Sequence, residues 1–260
     1  MLAQQRQAAI LDRITATGGV RVADLVAEFD VSDMTIRRDL EVLADRGVIH
    51  KVHGGATAVL PGAADEPGYA AKTELQTQEK IAITLRAAEF VRPGTAIALS
   101  AGTTTARLAH RLTDVPGLTV VTNSIPVADV FYRAGRSDQT VVLTGGVRTP
   151  SDALVGPVAV AAIRSLHVDV LFLGVHGMTE GAGFTTPNLM EAETDRALVG
   201  AAERLIVLAD HTKWGTVGLS SIAELTDADV LVTDDALEGE ARAALAESVG
   251  ELVIAQMRVT

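Results

Sequence analysis

Leu99-Ser-Ala-Gly-Thr-Thr-Thr-Ala-Arg-Leu-Ala109 begins as the end of an apolar strand, passes through a turn of small residues and runs into the first turns of a helix. A glycine turn opening a helix leaves backbone N–H groups without partners beside the positive end of the helix dipole, an arrangement that favours an anion. Thr103 and Thr104 add hydroxyl donors. The same residues also suit a tight turn at Gly102 followed by a threonine cap, and the stretch alone leaves both readings open.

Outward from this stretch the chain repeats the theme. A helical segment lies around ELQTQEKIAITLRAAEFV, and apolar runs follow at TAIALS, LTVVTN, TVVLTG, VDVLFLGV, RLIVLA, DVLVTD and ELVIA, most of them separated by helical patterns. Short, continuous runs of Val, Leu and Ile alternating with helices predict an α/β fold with a mainly parallel sheet covered on both faces. The small-residue turns then fall at strand C-terminal ends, where open α/β sheets collect their ligands. Upstream, TAVLPGAADEPGYA carries two prolines, two glycines and little apolar content, and reads as a linker. The expected organisation is a first domain at residues 1–57, a linker at 58–70 and a second domain at 71–260.

The first domain shows three short amphipathic stripes: Ile10, Leu11 and Ile14; Val22, Leu25, Val26 and Phe29; Ile36, Leu40 and Leu43. Gly18-Gly19 ends the first helix and Asp30-Val31-Ser32 turns between the second and third, a helix-turn-helix layout. With Ser32 as cap and Asp33 in the first turn, the outer face of the third helix carries Met34, Arg38 and Glu41, flanked by Thr35 and Arg37. Arg can fork onto guanine or phosphate, and Thr can touch a base edge or a phosphate. GVIHKVHGGA predicts a two-stranded wing, with Lys51 and His53 near a sugar-phosphate backbone and Gly54-Gly55 at its turn or exit. The DNA-binding set is thus Ser32, Met34, Thr35, Arg37, Arg38, Lys51, His53 and Gly54. An ordinary surface helix with paired charges also fits, since residues 1–55 hold seven Lys/Arg against eight Asp/Glu.

The 260 residues are 48% hydrophobic, enough for real cores. There is no cysteine, so disulfides and thiolate metal sites are excluded, and the six histidines lack ligand spacing. The start lacks the layout of a signal peptide, and no apolar run approaches the roughly 20 residues needed to span a bilayer. A cytoplasmic protein without membrane partner, metal or cofactor is expected. The formal charge of −11 argues against broad nonspecific nucleic-acid binding, so any such function belongs to a local patch.

VSDMTIRRDLEVLADRGVIHKVHGGA closely resembles the recognition helix and wing of the DeoR family of sugar-operon repressors. The resemblance continues through LSAGTTTARLA, TNSIPVA, LTGGVR, ALVGPVA, FLGVHGM, GFTTPN, EAE and ADHTKWG. It implies a winged helix-turn-helix repressor of carbohydrate genes. Its second domain is similar to sugar-phosphate isomerases and senses a phosphorylated sugar that releases the protein from operator DNA. By matching motifs, Ser100, Gly102, Thr103 and Thr104 hold the phosphate, Asn123 lies beside it, and Asp210 and Lys213 border the sugar. Each has a plainer alternative: Asn123 or Ser124 as a helix cap, Asp210 as a cap, Lys213 as a solvated charge. Glu191 and Glu193 suit sugar hydroxyls or the dipole of a helix they open, Arg148 meets phosphate or solvent, and His176 reads as a turn histidine. Two positions depart from the family pattern: Ser100 stands where an aspartate is common, and Asp195 where a lysine is common. The rival reading is a sugar-phosphate isomerase with an appended domain, in which Glu191, Glu193, Asp210 and Lys213 supply base and electrophile. A modest interface per domain favours a homo-oligomer, dimer or tetramer, on a paired operator.

Overall fold

The computed structural model describes residues 3–17, 19–45, 48–52, 54–58 and 68–257. The chain divides into two compact units, Met1–Pro61 and Gly62–Thr260.

In the first unit α1 (Ala3–Thr17) leads into β1 (Gly19–Arg21), α2 (Val22–Phe29), α3 (Asp33–Asp45), β2 (Ile49–Val52) and β3 (Gly55–Ala58). The predicted stripes close on one another: Ile10, Ile14, Val22, Leu25, Ile36, Leu40 and Leu43 are buried together with Ile49 and Ala56. Asp30 ends α2 in the left-handed conformation, at φ 50°. Ser32 Oγ then accepts the Thr35 amide at 3.2 Å, so the capping role expected of Ser32 is observed. The wing differs from expectation. β2 and β3 pair antiparallel, and β1 adds to β3 as a third strand. Three residues are too short to show a strand period, and β1 forms because Gly55 permits it. A Cβ on Gly55 would stand 2.1 Å from the Val20 carbonyl oxygen.

The second unit opens with α4 (Tyr69–Thr73) and α5 (Thr77–Ala88). β4 (Ala96–Leu99), α6 (Thr103–Leu112), β5 (Thr119–Thr122), α7 (Ile125–Ala134) and β6 (Thr140–Leu143) follow. A hairpin of β7 (Val147–Arg148) and β8 (Leu154–Val155) precedes α8 (Pro157–Ile163) and β9 (Val170–Gly174). Then come β10 (Gly177–Thr179), β11 (Gly183–Thr186), α9 (Leu189–Ala201), β12 (Leu205–Leu208), β13 (Ser220–Ala223), β14 (Val230–Asp234), α10 (Gly239–Ser248) and β15 (Leu252–Ala255). The seven predicted apolar runs form one sheet in the order β15-β14-β12-β9-β4-β5-β6, every pair parallel. Side chains alternate between two cores. Ile97, Leu99, Phe172, Ile206 and Leu208 pack under α5, α6 and α7, while Ala98, Leu171, Leu173, Leu205 and Val207 pack under α8, α9 and α10. Burial on both faces is why the inner strands read as unbroken apolar runs; the edge strand β6 departs from the expected cover, with Val141 and Leu143 exposed.

The sequence reading lacked the antiparallel additions, the β7–β8 hairpin and the β10-β11-β13 sheet. They are two to four residues long, too short to show a strand period, and β10 and β11 are made largely of Gly and Thr. β3 reaches Ala58 and α4 begins at Tyr69, so ordered structure extends into both ends of the expected linker.

From β4 the chain steps outward through β5 to β6, then crosses back so that β9 pairs with the opposite side of β4. The C-terminal ends of β4 and β9 therefore flank the point where strand order reverses, the usual ligand crevice of such sheets.

Candidate functional site

On α3 the exposed face is the predicted one. Met34 is 78% exposed, and Arg37 and Arg38 are exposed on the same turn. Arg37 is held by Asp33, which raises its guanidinium pKa. Arg38 has no ion pair among the described residues. Lys51 on the wing reaches Glu41 at 3.1 Å, joining β2 to the outer face of α3. Gly54 makes the wing turn at φ 78°, and His53 lies outside the described residues. The sequence reading missed the importance of Asp39, which is buried and accepts Arg6 Nε at 2.6 Å and Gln7 Nε2 at 2.9 Å. This cluster fixes α1 against α3 and so sets the angle of the exposed face.

At the reversal point, Gly102 has φ 148° and ψ 161°, a conformation open only to glycine, and α6 starts without a side-chain cap. The threonine-cap alternative for this stretch is therefore not realised. The amides of the first turn remain available to an anion, with Thr103 half-buried beside them and Thr104 largely buried. The loop is held by three hydrogen bonds, two to β9 and one to the residue after β5. Gly174 N donates to Ser100 Oγ at 3.0 Å, Ser100 N to the Phe172 carbonyl at 3.1 Å, and Ala101 N to Asn123 Oδ1 at 3.0 Å. Ser100, fully buried, thus ties β4 to β9 and is spent on the frame. Asn123 is not a helix cap; Ser124 caps α7, accepting the Val127 amide.

The other predicted residues of the second unit are held by groups from distant parts of the chain. Asp210 is buried and caps the turn His211–Lys213 by accepting Thr212 N and Thr212 Oγ1. Lys213 is half-buried at the end of that turn. Glu191 accepts Thr149 Oγ1 at 2.7 Å and Thr186 Oγ1 at 3.3 Å, while Asn188 caps α9. Thr149 belongs to the tip of the β7–β8 hairpin, which also accepts Tyr69 N at Pro150 O and Lys72 Nζ at Ser151 Oγ. The hairpin tip, α4 and the start of α9 are thereby drawn together. His176 follows β9 as a turn residue, its amide on Thr185 O. The buried Asp195, one turn after Glu191, has its carboxyl pushed well above the usual range, first by burial and then by Glu191.

Two predicted residues stand apart. Glu193 is exposed two positions after Glu191, about 200° around the helix, and lines a separate depression of about 360 Å³ with Arg164, His167 and Arg196. Arg148 points its exposed side chain to Asp152, with Nε–Oδ1 at 2.7 Å. A larger depression of about 490 Å³ runs between α6 and α7 beside Tyr69.

Two cations escaped the sequence reading. Lys80 on α5 is only 4% exposed, and its Nζ donates to the carbonyls of Lys72 at 2.7 Å and Leu75 at 2.6 Å. Burial lowers its pKa to about 8; Asp210 opposes the shift, while Lys213 and Arg107 reinforce it. Arg107, half-buried on α6, lies within electrostatic reach of both Lys80 and Tyr69. A signal for Lys80 was present: with Ile83, Thr84 and Ala87 it falls on the buried stripe of α5, where a lysine is out of place. Lys80, Arg107 and Lys213 thus lie within electrostatic reach of the buried Asp210 or of one another, and Arg107 belongs to the helix whose uncapped start is at Gly102.

A small winged helix-turn-helix unit joined to a parallel α/β unit with an anion-suited crevice defines a ligand-responsive DNA-binding protein as a class. The DeoR C terminal sensor domain model matches residues 75–235, and the DeoR-like helix-turn-helix model matches residues 6–60. The HTH-type transcriptional regulator YgbI of Escherichia coli (strain K12) is 36% identical over 98% of this chain and 99% of its own. The HTH-type transcriptional regulator GlpR of Haloferax volcanii is 34% identical over 98% of each chain, and the glycerol-3-phosphate regulon repressor of E. coli (strain K12) is 29% identical over 88% and 90%. Among solved structures, a D-ribose-5-phosphate isomerase in complex with phospho-erythronic acid aligns over 52% of each chain at 15% identity, with a TM-score of 0.39. The chain belongs to the DeoR family of transcriptional regulators. Among the described residues no helix is long and apolar enough to cross a membrane.

Proposed function

We propose that this regulator represses carbohydrate-metabolism genes and leaves its operator when a phosphorylated sugar binds the crevice at the C-terminal ends of β4 and β9. The observation that carries this reading is the uncapped start of α6 at Gly102, set at the reversal of strand order on the helix that also carries Arg107. A phosphate needs backbone amides and compensating cations, and both are there. The relative named as a glycerol-3-phosphate regulon repressor supports a phosphorylated effector of the same chemical kind. The isomerase alternative is weaker: Glu191 is engaged by two threonine hydroxyls and Asp210 by Thr212, and a winged helix has no use in isomerisation.

The winged unit has little net positive charge, so paired half-sites read by an even-numbered homo-oligomer belong to the same proposal. The test is a titration of selected operator duplex with protein, repeated with glycerol 3-phosphate and a panel of hexose and pentose phosphates. At least one phosphorylated compound releases DNA while its unphosphorylated parent does not. Replacing Thr103 and Thr104 together with valine keeps operator affinity but weakens the response. Thr103 supplies most of the loss, about 1.5–3 kcal/mol or ten- to a hundredfold in effector concentration, because Thr104 is largely buried. Undiminished release by the double variant overturns the phosphate assignment.

A further inference from the structure

The seven-stranded sheet ends differently at its two edges. At one, β15 has Val253 and Ala255 buried and Leu252 and Ile254 half-buried. At the other, β6 lies open. Thr140 N and Thr144 N donate to the Leu118 and Thr122 carbonyls at 2.9 and 3.0 Å, so strand alternation turns the amides and carbonyls of Val141 and Leu143 away from β5. There they meet no partner among the described residues. The side chains of Val141 and Leu143 are 36% and 44% exposed, and Val147 and Val158 extend the apolar surface at 62% and 65%. Val158 adjoins the end of β6, since a Cβ on Gly145 would stand 3.7 Å from its Cγ1. No residue from Gln139 to Val147 is charged or a proline, and β6 pairs with β5 without a bulge. Gln139 is no polar guard either, because its Nε2 is spent on the Leu112, Thr113 and Val115 carbonyls. Such an edge takes up another strand unless something covers it.

The charges beside the edge point to what covers it. Arg136 pairs with Asp138 at 2.8 Å just before the strand, and Arg148 with Asp152 at 2.7 Å, Nε to Oδ1, just after the loop that follows. A two-fold contact brings a patch against itself, so a patch of one net sign repels its own copy. The chain as a whole carries −11, whereas this edge is neutral. We propose that the β6 edge is the contact between two copies of this chain, with β6 pairing antiparallel to the partner's β6 about a two-fold axis at Val142. In that register Val141 stands opposite the partner's Leu143, and the amides and carbonyls that β6 leaves open complete one another. The two sheets become one, and Val141 and Leu143 gain apolar neighbours across the join. The inference rests on the even-numbered assembly proposed above and names the surface that makes the pair.

The test is sedimentation of the purified full-length protein beside a double variant, Val141→Lys with Leu143→Lys. Both side chains are exposed, so the variant keeps the melting transition of the second unit while its lysines oppose one another across the axis. Its mass falls by half, from dimer to monomer or from tetramer to dimer. In the assembled wild type the Val141 and Leu143 amides are protected from hydrogen exchange, as those of an open edge are not. This exchange measurement decides the matter if the double variant fails to fold. An even-numbered wild type with a folded variant of undiminished mass, or with Val141 and Leu143 amides that exchange freely, overturns the β6 contact and leaves the even-numbered assembly standing on another surface. A wild-type monomer at operator-binding concentrations overturns both. Open-ended growth that the double variant abolishes also overturns the two-fold contact, since a closed pair uses up the edge of both copies.

Discussion

At the scale of single residues, Arg37 and Arg38 have adjacent numbers but different surroundings. Arg37 is engaged by Asp33, whereas Arg38 has no ion pair among the described residues. Arg38→Ala therefore costs the larger share of operator affinity, about 1–3 kcal/mol if it reads a base, while Arg37→Ala must first be offset by the release of Asp33. Competition binding at fixed salt, across operator variants, distinguishes a base contact from a phosphate contact. Asp39 acts differently, because its loss strands the largely buried Arg6 without a partner. Asp39→Ala is expected to destabilise the first unit by about 3 kcal/mol, enough to unfold so small a body. Thermal melts should then show the transition of the second unit preserved and operator binding gone. A variant that keeps both transitions and full affinity shows that Asp39 does not fix α1 to α3.

At the scale of elements, what was legible follows from burial. Six of the seven parallel strands stood out because their faces are covered, the edge strand β6 because of its apolar content despite exposure, and the three helices of the first unit because each buries one stripe. The short antiparallel strands did not, since their pairing depends on close approach rather than on a period. Gly55 makes this concrete: Gly55→Ala drives a methyl against the Val20 carbonyl and should detach β1, costing about 1–3 kcal/mol. Chemical denaturation of the first unit measures it, and an unchanged midpoint means that β1 contributes nothing. The site was legible where a motif fixes backbone, as at Gly102. It was not legible where a side chain's partner sits on another strand, as with Ser100 to Gly174 and Asn123 to Ala101. Glu191 and Glu193 show the converse. Once α9 is a helix, two positions separated by about 200° cannot both face one crevice, so the sequence pair overstated the site.

At the scale of the whole molecule, the assembly expected here is even-numbered, with two winged units engaging a paired operator. Sedimentation of the purified protein at operator-binding concentrations should give a dimer or tetramer. Halving the operator to one half-site should lower affinity by orders of magnitude, because effective concentration is lost. A monomer that binds a full operator tightly overturns this expectation.

The crevice is assembled from residues scattered between Lys72 and Lys213, whereas the first unit has a core of its own within Met1–Pro61. During synthesis the two halves of the regulator therefore do not mature together. At the usual pace of translation, the stretch Gly62–Thr260 takes on the order of 10–40 s to follow the winged unit out of the ribosome. On the function proposed above, for that interval the chain has its winged unit but not yet the crevice that would take the effector. On that same proposal, nonsense fragments ending shortly after residue 61 should compete for half-sites weakly and without response to any sugar phosphate.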